Sequence, residues 1–198
     1  LGMSYDKPVR HLREYLSILG PISRGETAHF DGDTYSVHAR VDAKGSTGFG
    51  VVVAALGEQM LRVTAAMADG TLTWCTGPST LAGHTIPTIT KAAEELGRPA
   101  PRVIAALPVC VTQDKEAAAE RAAKVFAVYG TLPSYRAMLD KEGAAGPADI
   151  AITGSVAEVQ DRVAALASIG VTDFAAVEFG ATPDEIGNTR EALKGLLR

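Results

Sequence analysis

The sequence is poor in cysteine and in long apolar runs, carries no excess of positive charge, and each shortage removes a class of protein. Only two cysteines, Cys75 and Cys110, stand in 198 residues, both in apolar, strand-like runs. A disulfide-stapled secreted scaffold needs more, so the pair reads as buried free thiols in a reducing cytosol, and a cytoplasmic location is expected. No CxxC or HxxxH spacing occurs, so no metal-site motif is read. No apolar run approaches the ~20 residues needed to span a bilayer. Asp6, Lys7, Arg10 and His11 break the first apolar residues, against a signal peptide. The net charge of -4 gives no general attraction to nucleic acid or anionic membrane, so neither is an expected partner. The opening Leu1-Gly2-Met3-Ser4 has no initiator methionine, and the chain reads as part of a longer protein.

With 46% hydrophobic residues, the chain can bury a sizeable core, and residues 1–198 read as a single domain. Its organising stretch is Gly50-Val51-Val52-Val53-Ala54-Ala55-Leu56-Gly57 followed by Glu58-Gln59-Met60-Leu61. The β-branched run predicts a buried strand. It ends in small residues and a glycine, where a helical pattern begins. Small residues let a ligand approach the backbone, and a helix start carries partial positive charge. The turn at Ala54, Ala55, Leu56 and Gly57 is therefore a candidate phosphate seat.

Upstream, Asp6-Lys7-Pro8 reads as a helix start with Asp6 as cap, and Gly20-Pro21 as its stop. Asp31-Gly32 between short strand formers predicts a hairpin over 27–38. The glycines at 45, 48 and 50 precede a strand and do not form GxGxxG, so a Rossmann fingerprint is rejected. Downstream, a helix is predicted over 57–67, then a strand over 71–75. The next helix carries Pro87 and should kink near it. A third strand is expected over 103–111, interrupted by Pro108. Thr112 or Asp114 should cap an alanine-rich helix, and another helix starts at Pro133. Ser155-Val156-Ala157-Glu158 and Thr182-Pro183-Asp184-Glu185 are capping boxes, with a fourth strand over 171–179 between their helices. Four apolar strands alternating with helices imply an α/β fold with a parallel sheet.

Val53-Ala54-Ala55-Leu56-Gly57, Met60-Leu61-Arg62 and Ala68-Asp69-Gly70-Thr71-Leu72-Thr73-Trp74, in this order, resemble the luciferase-like superfamily, and within it the deazaflavin (coenzyme F420)-dependent oxidoreductases. Leu107-Pro108-Val109-Cys110-Val111, Leu132-Pro133-Ser134-Tyr135 and Gly170-Val171-Thr172-Asp173-Phe174 fit as well, as does Tyr5-Asp6-Lys7-Pro8 with Glu14-Tyr15-Leu16. The resemblance implies a (β/α)8 TIM-barrel family, here its C-terminal half: a helix following strand 4 over 1–20, the hairpin as an insertion, and βα units 5–8 over 50–198. It implies hydride transfer between reduced deazaflavin and an organic, small-molecule substrate as the partner. An FMN-dependent monooxygenase and a non-catalytic half-barrel stay open. The family's cofactor phosphate sits near the end of the fifth strand, which implies contacts from Ala54, Ala55, Leu56 and Gly57. Trp74 would border the cofactor, with Cys75, Thr76 and Gly77 lining the adjoining loop. The family's reacting-face groups come largely from its first four strands, so no catalytic residue is assigned. A half-barrel leaves two open sheet edges, from which a homodimer or other self-association is expected.

The remaining polar residues carry less. His11 and His84 fall on predicted helices and His29 and His38 flank the hairpin; spacing names no carboxylate partner for any of them. Glu58 reads as a helix-start carboxylate with Arg62 one turn on. Tyr129 and Tyr135 read as packing groups, and Ser134 has no visible base.

Overall fold

From residue 52 onward the chain alternates strands and helices. The structure, a computed structural model, describes residues 6–42, 44, 45 and 47–197, so the opening Leu1–Tyr5 lies outside the described residues. The sequence reads as one domain; the contacts gather into two compact units, residues 1–71 with 88–101, and residues 72–87 with 102–198.

In the first unit, helix α1 spans Pro8–Ser23. Its cap position is Lys7 rather than the expected Asp6, with proline in the first turn and no side-chain cap bond from Lys7. The helix also runs past Gly20-Pro21, with Pro21 inside its last turn. A proline that near the C-terminal end forfeits one bond without breaking a long ladder. The hairpin forms as expected: β1 (Ala28–Asp31) pairs antiparallel with β2 (Ser36–Ala39). Strand β3 is only Val52–Val53, followed by helix α2 (Glu58–Met67), and β3 pairs in parallel with the first residues of β4 (Gly70–Trp74).

The hairpin loop is organised by a carboxylate that arrives from α1. Glu14 accepts N–H groups from Asp33 (3.2 Å), Thr34 (2.8 Å) and Tyr35 (3.1 Å). A Cβ on Gly32 would lie 2.6 Å from Glu14 Oε2 and 2.5 Å from Phe30 Cε1, so any larger residue there would have to displace these side chains. Burial by itself would raise the Glu14 carboxyl. The three N–H groups and the charge of Arg10 outweigh it and hold the group below its ordinary 4.5.

In the second unit, β4 ends and a helical run begins: α3 (Pro78–Thr80), a π turn (Leu81–Thr85) and α4 (Ile86–Glu95), which continues into the first unit. The expected kink near Pro87 takes the form of this π turn, which widens the helix where the proline ring needs room. Strand β5 (Arg102–Val111) runs unbroken through Pro108, against the expected interruption. Pro108 removes one ladder donor, while residues 105–111 remain buried and the strand keeps its neighbours. Such a continuous buried run is what a parallel strand covered on both faces requires. Then follow α5 (Lys115–Val125), α6 (Pro133–Glu142), β6 (Ile152–Gly154), α7 (Val156–Ser168), β7 (Asp173–Glu178) and α8 (Pro183–Lys194). Strand β7 pairs in parallel with residues 104–109 of β5, and β6 with residues 109–111. The three-residue β6 was not read from sequence.

Because the folded Glu14 carboxyl is held down, its stabilising contribution is present above 4.5 and is lost as pH falls through its lower folded value. Thermal melts of Glu14→Gln are expected to show lower stability than wild type at neutral pH, with a gap that narrows below about pH 4. A gap independent of pH would refute this role.

Candidate functional site

Where a strand hands over to a helix, the helix's first N–H groups need acceptors. Four of these turns are closed by the chain's own oxygens. Asp114 accepts from Ala117 N–H (2.9 Å) at α5. At α7 the capping box is complete: Ser155 Oγ accepts from Glu158 N–H (3.3 Å), and the Glu158 carboxylate accepts from Ser155 N–H (2.8 Å). At α8 only half of the expected box forms. Thr182 accepts from Glu185 N–H (3.1 Å), while the Glu185 carboxylate turns to Ala181 N–H (2.7 Å) and to Arg121 (3.1 Å). At α3 the acceptor comes from far along the chain: Glu142, at the end of α6, accepts from Ser79 N–H (3.1 Å) and Thr80 N–H (2.6 Å).

The fifth turn, from β3 to α2, is different. Gly57 holds the cap position in extended conformation and makes no side-chain cap bond. Ala54 and Gly57 are exposed and Leu56 is half-buried. A Cβ built on Gly57 meets nothing within 4 Å. Glu58 is engaged by Arg62 at 3.1 Å. Among the described residues, this is the one strand-to-helix turn that no side chain closes. An anion there would meet a helix start and open space.

One member of the predicted seat needs correction. Ala55 is buried, and its N–H donates to Thr71 Oγ1 at 3.3 Å. The Thr71 hydroxyl also lies 3.0 Å from the carbonyls of Val53 and Ala55. Ala55 therefore anchors the turn and has no N–H to offer a ligand. Ala54, Leu56 and Gly57 remain at the turn.

The other predicted residues belong to the second unit. Trp74 is half-buried and meets Phe126 and Tyr129 edge-on, at 5.5 and 5.4 Å between ring centroids. The row continues from Phe126 to Phe179 (5.7 Å) and from Tyr129 to Tyr135 (5.1 Å). Trp74 Nε1–H is buried without a protein acceptor, an unusual state for an indole. Cys75 follows with φ of +51°, in the left-handed region that side chains rarely adopt. Burial pushes its thiol up to about 12, so it stays protonated and is no nucleophile. Both cysteines are free and buried, as read from sequence. Thr76 and Gly77 are also buried. A Cβ on Gly77 would come within 2.3 Å of Glu142 Cδ, so the glycine makes room for the carboxylate that closes α3.

A family model of the luciferase-like monooxygenases matches residues 1–196. The chain belongs to that family. Among solved structures, the coenzyme F420-dependent tetrahydromethanopterin reductase from Methanopyrus kandleri is 20% identical with a TM-score of 0.72, covering 92% of this chain and 60% of its own. An F420-dependent secondary alcohol dehydrogenase, in complex with an F420-acetone adduct, is 15% identical with a TM-score of 0.76, covering 100% of this chain and 64% of its own. EDTA monooxygenase from Chelativorans sp. BNC1 is 14% identical with a TM-score of 0.66, covering 98% and 61%. At these identities the likeness establishes the α/β fold, and this luciferase-like chain spans about 60% of the length of such relatives. No curated protein matches it significantly.

Sequence reasoning missed three residues that shape this region. Thr71 ties down the end of β3, Glu142 closes α3, and Arg121 bridges Phe179 O (2.9 Å) and Glu185 while lying over the Phe179 ring. Each acts on a residue distant in the chain, so no local spacing marks it.

The Gly77–Glu142 arrangement predicts a coupled pair. Glu142→Ala alone should cost about 1–2 kcal/mol through two lost charge-assisted bonds. Gly77→Ala should destabilise wild type and be nearly neutral in the Glu142→Ala background. Denaturant unfolding of the four-member cycle measures this, and simple additivity would reject it.

Proposed function

We propose that this luciferase-like chain is part of an F420-dependent oxidoreductase that moves a hydride between reduced deazaflavin and an organic substrate. The observation that carries the proposal is the unclosed start of α2, where Ala54 and Gly57 are exposed and the cap position bears no side chain. Ala54 and Gly57 would hold the phosphate of the cofactor tail, with Leu56 between them in the turn and the α2 start supplying partial positive charge. Ala55 would act through its bond to Thr71, which keeps the turn in shape.

In the second unit, the orphaned Trp74 N–H supports a polar neighbour that the protein itself does not supply. Cys75, Thr76 and Gly77 are retained as the loop after Trp74, with a shaping role, since Cys75 is protonated and the Gly77 position is taken up with Glu142. When bound, a deazaflavin supplies the hydride chemistry; these residues bind and orient. The relatives named with F420 favour the deazaflavin, and FMN is the second reading, favoured by likeness to a type II Baeyer-Villiger monooxygenase in complex with FMN. We further propose that β3, β4, β5 and β7 correspond to strands 5–8 of the family's barrel. Strands β3 and β7 each pair with one neighbour, which supports a homodimer or other self-association through open edges.

Calorimetric titration with F420, FMN and riboflavin tests the cofactor reading. F420 should bind most tightly, and FMN should exceed riboflavin because only FMN carries a phosphate. Gly57→Asp places a competing carboxylate at the seat and should weaken the phosphate-bearing ligands roughly tenfold or more, about 1.4 kcal/mol, leaving riboflavin unchanged. Absence of binding by F420 and FMN, or equal effects on riboflavin and FMN, would overturn the assignment. Light scattering checks the edges: a monodisperse monomer at high concentration would reject self-association.

A further inference from the structure

The hairpin presents one polar face, built from two histidines, an aspartate and a serine. In the antiparallel register His29 faces His38 and Asp31 faces Ser36. Gly32 N–H donates to Tyr35 O, which marks that pair as hydrogen-bonded. Alternation then makes 31/36 and 29/38 non-hydrogen-bonded pairs, where facing side chains approach most closely. Residues 29, 31, 36 and 38 thus share one side of the ribbon, and all four are exposed. Phe30 and Val37 take the other side and are half-buried.

On the exposed face, His29 Nδ1 and His38 Nδ1 converge to 3.2 Å, with ring centroids 5.5 Å apart and planes tilted by 50°. On the far side of the His38 ring, Nε2 lies 3.0 and 3.1 Å from the two oxygens of Asp31. The carboxylate only accepts, so the neutral His38 ring carries its proton on Nε2 and leaves a lone pair on Nδ1. Ser36 Oγ donates to Asp31 at 2.6 Å and fixes the carboxylate in turn.

We propose that His29 and His38 form a cross-strand chelate for a late first-row divalent cation such as Zn2+, bound through both Nδ1 atoms, with Asp31 as the positioning residue. A zinc ion with bonds of about 2.0–2.1 Å and tetrahedral angles needs ligand nitrogens roughly 3.3 Å apart, close to the spacing found here. The Ser36–Asp31–His38 chain is the arrangement that orients ligating imidazoles, the free ring N–H donating to a carboxylate. Imidazole suits ions of this group. Without metal, one ring nitrogen donates to the other. On binding, the His29 proton moves from Nδ1 to Nε2, so a neutral pair releases no net proton. Water fills the remaining coordination positions, since among the described residues no group of three or more side chains is placed to hold a metal. The site is independent of the cofactor reading.

Calorimetry with ZnCl2 and imidazole-nitrogen NMR on the whole chain test this. Wild type should bind one zinc at this site, with the Nδ1 resonances of His29 and His38 shifting together. His29→Ala and His38→Ala should each abolish that event, while Asp31→Asn should weaken it about 10- to 100-fold and keep both Nδ1 shifts. Bound zinc should raise the melting temperature of wild type and not of the histidine variants; their metal-free melting curves, unchanged from wild type, verify folding. No binding at millimolar zinc, binding unaltered in the His29→Ala/His38→Ala double variant, or a shift confined to one of the two rings would each overturn the proposal.

Discussion

Every parallel strand that hands over to a helix leaves a set of backbone N–H groups to be satisfied, and this constraint governs the candidate site. The chain meets it with Asp114, with Ser155 and Glu158, with Thr182, and with Glu142 reaching back to α3. An anion at those helix starts would have to displace an oxygen already in place. At α2 no side chain is in place, and the residue at the cap position has no Cβ to obstruct an approach. The same principle explains the closed turns as structure and sets the α2 start apart from them.

What could be read from the sequence was local. Ser155 and Glu158 are three residues apart, and their reciprocal bonds follow from that spacing. The Asp31-Gly32 turn was legible for the same reason. The carboxylate that organises the turn was not, because Glu14 lies 19 to 21 residues upstream of the N–H groups it accepts. Glu142 closes α3 across 62 and 63 residues. Pro108 misled in the opposite direction: local rules break a strand there, while burial on β5 carries the strand through. Propensity describes the isolated segment, and packing decides the outcome when both faces are covered.

Within the second unit, Arg121 joins packing to the loop that leaves β7. Its guanidinium donates to Phe179 O and pairs with Glu185, and lies 5.6 Å from the centre of the Phe179 ring. Phe179 in turn meets Phe126, and Phe126 meets Trp74. The start of α8 is thus linked through contacts at van der Waals range to the end of β4. Among the described residues of this aromatic row, Trp74 Nε1–H is the buried polar atom without a protein partner, a state that costs free energy.

The titratable groups of these regions argue for a positional role. Burial keeps the Cys75 thiol protonated. Burial and the nearby charge of Glu185 raise the Cys110 thiol, despite the Arg121 contact. Glu142 and Glu185 are committed to backbone N–H groups, and Glu58 to Arg62. Both thiols are raised and stay protonated near neutral pH, so neither serves as a general base. If the chain takes a redox cofactor as proposed, the chemistry would reside in the bound ring and the protein would supply position and electrostatics. About two fifths of those relatives' length has no counterpart in this chain. On the proposed reading, the groups that face the reacting carbon lie outside the strand-to-helix turns described here.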